Sequence, residues 1–232
     1  MVPKGEHVKR RIVIKLSGSV FSENASKISL LKYATMLKSI SKKAQLVVVA
    51  GGGHIARHYI DIARSFGVDE ASLDELGIEV SRLNAQLLVY ALGNAAYSHI
   101  PKNLQEVVVA TETGKIVVTG GLHPGQSTNA TSAQIAEKIN AGMFINATDV
   151  NGIYDADPRT HKNANLLKTI KLRALRNMLV HESTMAGAYD LMDIVALKVI
   201  ERSKIPTRVI KADVNTIKRA VSGADVGTKI IT

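Results

Sequence analysis

Residues Leu46, Val47, Val48, Val49 and Ala50 form an unbroken apolar run that ends directly in three glycines, Gly51, Gly52 and Gly53. Such a run reads as a strand buried on both faces, which belongs in a parallel sheet covered by helices. The residues that follow agree. Ile55, Tyr59, Ile62, Ala63 and Phe66 recur at the spacing of one helix face, closed by Gly67. The alternation continues along the chain. Residues 12–16, 107–110, 116–119, 143–147, 207–210 and 229–231 read as strands. Helical patterns cover 28–40 behind Ser26 and Ser29, 73–92 up to Gly93, 131–140 and 188–202. Residues 149–165 are polar and carry the turn signal Asp157-Pro158. Strands alternating with helices predict an α/β protein with a largely parallel sheet covered on both faces. No repeat, low-complexity tract or linker interrupts residues 1–232, so one domain is expected, with two lobes sharing the sheet.

Composition narrows the classes. Hydrophobic residues make up 46% and charged residues 22%, which excludes a disordered chain or a fibre. The absence of cysteine removes disulfides, thiolate metal sites and a cysteine nucleophile, and suggests a reducing, cytoplasmic setting. No apolar run approaches the ~20 residues of a membrane span, and the short apolar stretch at 12–16, broken by Lys15, is no signal peptide. No membrane partner is expected. The formal charge of +10 attracts anions of any kind. Aromatic residues are only 4%, without Trp, so stacking platforms for nucleic acid are scarce and no nucleic-acid partner is expected.

In such sheets ligands bind beyond the carboxyl ends of the strands. Three junctions there stand out. At the first, Lys15, Leu16, Ser17, Gly18 and Ser19 bring an ammonium and a small, flexible turn to the end of a strand. That suits an anionic phosphate, and it equally suits a surface lysine beside an ordinary turn. At the second, Gly51, Gly52, Gly53 and His54 open a helix whose N–H groups and positive dipole end favour an anion. Arg57 sits one turn on, placed for a bidentate phosphate contact. Three glycines cost too much chain entropy to be explained by a tight turn alone, so phosphate binding is favoured. At the third, Gly120, Gly121, Leu122, His123, Pro124, Gly125, Gln126, Ser127, Thr128 and Asn129 offer amides and hydroxyls suited to a nucleobase edge, to helix capping, or to both.

Other motifs are missing. No Gly-x-x-x-x-Gly-Lys-Ser/Thr occurs, and no Gly-x-Gly-x-x-Gly follows the first strand. His54 and His58 share a helix face but lack the intervening Glu of a zinc protease. No metal-ligating set is assigned to the protein. Asp149, Asp155 and Asp157 read as turn residues.

Taken in order, these motifs resemble the amino acid kinase superfamily, and within it the uridylate (UMP) kinases of bacterial and archaeal type, most of all the archaeal members. The resemblance rests on Lys15 to Gly18, Gly51 to Arg57, Asp74-Glu75-Leu76-Gly77, the loop 120–129, and the run from Thr148 through Asp149, Asn151, Tyr154 and Asp157 to Pro158. It covers nearly the whole chain. It implies a three-layer αβα sandwich and transfer of the γ-phosphoryl of ATP to UMP, giving UDP, with Mg²⁺ accompanying ATP. Lys15, Asp193 and Arg57 match catalytic positions. Lys15, Leu16, Ser17, Gly18, Ser19, Gly53, Arg57, Thr148, Tyr154 and Asp157 match the ATP side. Gly52, Asp74, Leu122, His123, Pro124, Gly125, Gln126, Ser127 and Thr128 match the UMP side. A homohexamer, a trimer of dimers, is the assembly it implies. His54 stands where many relatives have Asn, and Asn129 where many have Asp.

Two classes of rival remain, besides a nucleic-acid-binding module that the +10 charge alone motivates. One is a kinase of the same fold acting on isopentenyl phosphate or an amino-acid carboxylate. Against the first stand Arg57, where such enzymes typically carry His, and the polar groups at Asp74 and Gln126 to Thr128. The other is a nucleotide-binding or storage protein without turnover, against which the joint presence of Lys15, Arg57, Asp74 and Asp193 argues.

Overall fold

The computed structural model describes residues 9–22, 25–182 and 191–232. Its order is β1 (Arg10–Leu16), α1 (Lys27–Ser41), β2 (Ala44–Ala50), α2 (Gly53–Ser65), α3 (Glu70–Leu92), α4 (Leu104–Glu112), β3 (Val117–Thr119), α5 (Thr128–Lys138), β4 (Met143–Thr148), β5 (Thr169–Lys171), α6 (Leu172–Glu182), α7 (Ile194–Ser203), β6 (Thr207–Lys211), α8 (Val214–Val221) and β7 (Thr228–Ile231). Among them they form a seven-stranded sheet in the order β3-β2-β1-β4-β6-β7-β5. All neighbours are parallel except β6 and β7.

The period of two along each strand divides the core. Ile12, Ile14 and Leu16 of β1 pack with Leu46 and Val48 of β2 beneath α1, α3 and α8. Val13, Val47, Val49 and Phe144 face the other way, beneath α4, α5 and α7. Both faces are dry, which is why β2 is apolar at every position but Gln45. Gln45 donates to the Lys115 carbonyl at 2.7 Å. The three expected layers are therefore present.

Three readings are corrected. Residues 107–110 are helical, within α4. Asn103 caps that helix by accepting from the Glu106 amide at 2.9 Å, and Glu106 reaches back to the Lys102 amide at 2.8 Å. This reciprocal cap outweighs the β preference of three successive valines. The late helix begins at Ile194, with Asp193 as its N-cap rather than inside it; residues 188–190 of the expected span lie outside the described residues. The helix expected at 131–140 starts three residues sooner because Ser127 caps it. The helices α6 and α8 and the short β5 escaped the sequence reading, although Leu172, Leu175 and Leu179 in α6 and Val214, Ile217 and Val221 in α8 recur at helical spacing.

The apolar face of α2 lies outside the core. Tyr59, Ile62 and Phe66 are exposed, Phe66 by 76%. On the adjacent α3, Leu83, Leu87 and Tyr90 are exposed as well. No helix among the described residues is long and apolar enough to cross a membrane.

The first two glycine junctions meet backbone to backbone. The Gly51 amide donates to the Leu16 carbonyl at 2.9 Å. A Cβ on Gly18 would sit 2.1 Å from the Gly53 nitrogen, and one on Gly53, at φ +67°, would sit 2.7 Å from the Gly18 carbonyl carbon. These glycines are required by one turn lying against the other, in addition to any ligand. Gly18→Ala is expected to cost about 1–3 kcal/mol or more, because the obstacle is backbone and cannot swing aside; urea denaturation of the two proteins measures the difference.

Candidate active site

The carboxyl ends of β1, β2 and β4 open into a cleft of about 270 Å³. Lys15, Ser17, Gly18, Ser19, Gly52, Gly53, Arg57, Ser127, Thr128 and Thr148 all line it. Lys15 stands on the Val13 face of β1, in register with Val49 and Asn146. Arg57 projects from the first turns of α2, whose N-cap Gly52 has no side chain to satisfy the opening amides. The cleft therefore combines Lys15, Arg57, Arg159 and a helix start, against Asp149 as its lining carboxylate. Its field favours a polyanion.

The small turn after Lys15 is held locally. The Ser17 amide donates to the Ala147 carbonyl at 2.8 Å. Ser17 Oγ accepts from the Ser19 amide at 3.3 Å and the Ser19 hydroxyl at 3.0 Å. Leu16 is fully buried and contributes only backbone here.

Asp193 is held in a linked pair of helix caps. Its Oδ1 accepts from the Ala196 amide at 2.8 Å. Its Oδ2 accepts from the Ser127 hydroxyl. Ser127 Oγ in turn accepts from the amides of Asn129 at 3.0 Å and Ala130 at 3.1 Å. The N-termini of α5 and α7 are thus joined at the cleft wall. Asp193 itself is outside the lining.

Asp74, Leu122, His123, Pro124, Gly125 and Gln126 also stand outside the lining. Asp74 Oδ2 accepts from the Gly125 amide at 2.6 Å, so this carboxylate already touches the loop. Leu122 is buried in the core, whereas His123, Pro124 and Gly125 are exposed. Gln126 Oε1 is a buried acceptor without a partner among the described residues, and so is Asn129 Oδ1.

On the opposite wall, Thr148 Oγ1 donates to Asp149 Oδ1 at 2.9 Å. Tyr154 and Asp157 do not line the cleft, but Arg159 does. Its Nε and Nη2 bond both oxygens of Asp157 at 3.0–3.2 Å, and its Nη1 lies 3.7 Å from Asp149. Hydrogen bonding from Arg159 holds the Asp157 carboxyl below the usual carboxylate range, so Asp157 stays ionised at neutral pH. Ile153 and Thr228 pin this loop to β7: the Ile153 amide donates to Thr228 Oγ1 at 2.8 Å.

Several site residues escaped the sequence reading. Ser22, Arg159 and Leu191 line the cleft. The Leu191 carbonyl accepts from Asn146 Nδ2 at 2.5 Å and Asn129 Nδ2 at 3.4 Å. An arginine in a polar turn carries no periodic signal, and a backbone carbonyl carries none at all. His54 lines the cleft and stacks on His58, with ring centroids 6.3 Å apart.

A Lys- and Arg-bearing cleft between glycine turns, at the carboxyl edge of a parallel sheet, has the charge and geometry that suit phosphorylated ligands. The chain belongs to the amino acid kinase family, whose model matches residues 10–211. Uridylate kinase from Methanoculleus marisnigri is 45% identical over 223 residues, which are 95% of each chain. Uridylate kinase from Methanobrevibacter smithii is 40% identical over 222 residues, covering 95% of this chain and 99% of the other. Among solved structures, uridylate kinase from Archaeoglobus fulgidus superposes with a TM-score of 0.84 at 39% identity, covering 94% of this chain and 99% of that one.

Ser127→Ala should cost about 1–2 kcal/mol, the upper range for a lost N-cap, because it also removes the donor to Asp193. Thermal unfolding monitored by circular dichroism reads that loss directly.

Proposed function

We propose that this protein is a UMP kinase, transferring the γ-phosphoryl of ATP to UMP to give ADP and UDP. The observation that carries the reading is the cationic cleft at Lys15, Arg57 and the Gly52–Gly53 turn, in a chain similar to uridylate kinases over nearly its whole length. The UMP phosphate is already an ionised nucleophile, so the reaction needs positioning and charge neutralisation more than a base. Lys15 stabilises the transferring phosphoryl and Arg57 holds phosphate beside it. Asp193 orients this group of residues through Ser127 rather than by touching substrate. Ser17, Gly18, Ser19 and Gly53 take the ATP phosphates, with Leu16 as their support. Thr148, Tyr154 and Asp157 form the ATP nucleoside side, and Arg159 links Asp157 to the cleft.

UMP lies across Gly52, Asp74 and the loop from Leu122 to Thr128. Asp74 accepts ribose hydroxyls, and the buried acceptors Gln126 Oε1 and Asn129 Oδ1 suit a ligand bearing an N–H donor, as uracil does. Among the described residues no group of three His, Asp or Glu is placed to cage a metal. Mg²⁺ would be carried chiefly by ATP oxygens and water, with Asp149 as the carboxylate of the cleft lining, and would offset phosphate charge. The exposed apolar side chains along α2 and α3 support self-association, which we read as a dimer interface within a hexameric trimer of dimers. We place the enzyme in the cytoplasm.

A coupled ADP-release assay with MgATP should show turnover strongest on UMP across UMP, CMP, dUMP, AMP, isopentenyl phosphate, aspartate and acetylglutamate. Turnover confined to another acceptor would overturn the substrate, and no turnover at all would favour a binding protein. Lys15→Ala should lower kcat by about two to three orders of magnitude with the fold retained, because it removes charge stabilisation specific to the transition state. A kcat near that of the unaltered protein would remove Lys15 from catalysis.

A further inference from the structure

One stripe of α3 touches both the Gly51–Gly52 turn of the cleft and the loop that follows β3. Asp74, Ser81 and Asn84 recur at i, i+7 and i+10, along one side of the helix. Asn84 is 3% exposed, and its Nδ2 donates to the Gly51 carbonyl at 2.8 Å and the Gly52 carbonyl at 3.4 Å. Ser81 is 1% exposed, and its Oγ accepts from the Gly121 amide at 2.8 Å while donating to the Ile78 carbonyl at 2.6 Å. Neither side chain lines the cleft.

We propose that Asn84 and Ser81 are positioning residues that fix the phosphate turn and the acceptor loop to one rigid helix and so set the distance between the two substrates. The peptide unit is planar and trans, so its carbonyl and the following N–H point in opposite directions. When Asn84 draws the Gly51 and Gly52 carbonyls toward α3, the amides of Gly52 and Gly53 are turned away from α3. Those amides belong to residues that line the cleft. Glycine has no side chain to hold such an orientation, and its backbone is the least restrained of all residues. The fixing group must come from elsewhere, and Asn84 supplies it.

Ser81 acts in the same way on the other side. By accepting from Gly121 it anchors the start of the acceptor loop, whose far part is held by Asp74 through Gly125. The fit is close: a Cβ on Gly120 would lie 2.4 Å from Ser81 Oγ, and one on Gly121 would lie 2.9 Å from Ile78. Two groups that must meet for phosphoryl transfer are thus referred to points one helical turn apart. Errors of position of about 1 Å can cost on the order of 100-fold in rate.

This inference rests on the UMP kinase reading, and the test separates the two. Asn84→Ala and Ser81→Ala are compared with the unaltered protein for kcat, for KM, and for the stoichiometry and Kd of ADP and UMP titrated singly. The expected result is a kcat lower by roughly 10–100-fold, with binding stoichiometry unchanged. Single-substrate Kd values should stay within about threefold for the substrate on the opposite side. A merely structural role would instead lower stoichiometry and kcat together at unchanged Kd. Asn84→Leu, similar in size and without a donor, replaces the alanine variant if that one fails to fold, and is expected to show the same kcat loss. A folded Asn84 variant and a folded Ser81 variant with kcat within twofold of the unaltered protein overturn the proposal. If the unaltered protein does not phosphorylate UMP, the parent reading falls. Hydrogen exchange then decides: the Gly121 amide should exchange at least about tenfold faster in Ser81→Ala, and unchanged exchange overturns the anchoring.

Discussion

The site depends on a contact between two stretches of main chain. Gly18 and Gly53 lie so close that neither position has room for a Cβ, and the Leu16 carbonyl binds the Gly51 amide beneath them. Van der Waals contact between backbones is short-ranged and unforgiving, so it fixes the ends of β1 and β2 relative to one another. From that contact follow the place of Lys15 at the end of one strand and the direction of α2 at the end of the other. The charges of the cleft converge because the turns that carry them cannot separate without opening this junction.

Around this junction the polar groups are used more than once. Ser127 caps α5 and donates to Asp193, which caps α7. The Leu191 carbonyl serves both Asn129 and Asn146. Shared partners of this kind make a cleft wall stiff, because moving one member leaves others unsatisfied in a dry environment. Helix termini are the natural components, since their unpaired amides need acceptors in any case.

Much of this was legible in the residues. The buried strands announced themselves because a sheet covered on both faces needs apolar residues on both, as at Leu46 to Ala50. The glycine junctions were visible for the same reason that they matter, since glycine is rarely placed in threes without a constraint. The constraint itself was only half seen: a ligand was expected at Gly51 to Gly53, and the opposing Gly18 turn is also there. Residues 107–110 misled because three valines resemble a strand, while the capping groups at Asn103 and Glu106 that decide the matter lie outside the run. Tyr59, Ile62 and Phe66 followed the helix period faithfully, yet the period says only that a face is apolar and not what covers it. Asn84 and Ser81 look like ordinary polar helix residues. Their signal was positional: they fall among Ile78, Ala85 and Leu88, on the side of α3 that a core would claim.

Thr228 has a bearing on how the molecule is built. It lies on β7, the strand through which β5 joins the sheet. Its hydroxyl accepts from the Ile153 amide and donates to the Leu167 carbonyl at 2.6 Å, bracketing the loop that carries Asp157 and Arg159. Chain emerges from the ribosome in order, and residues 10–148 can pair β1 to β4 before β7 exists. Until residues 228–231 are made, β5 has no neighbouring strand and the Arg159 wall has no pin. The cleft is therefore assembled from its β1–β2 side outward, and its Arg159 wall waits for β7, which follows the other six strands of the sheet in the chain.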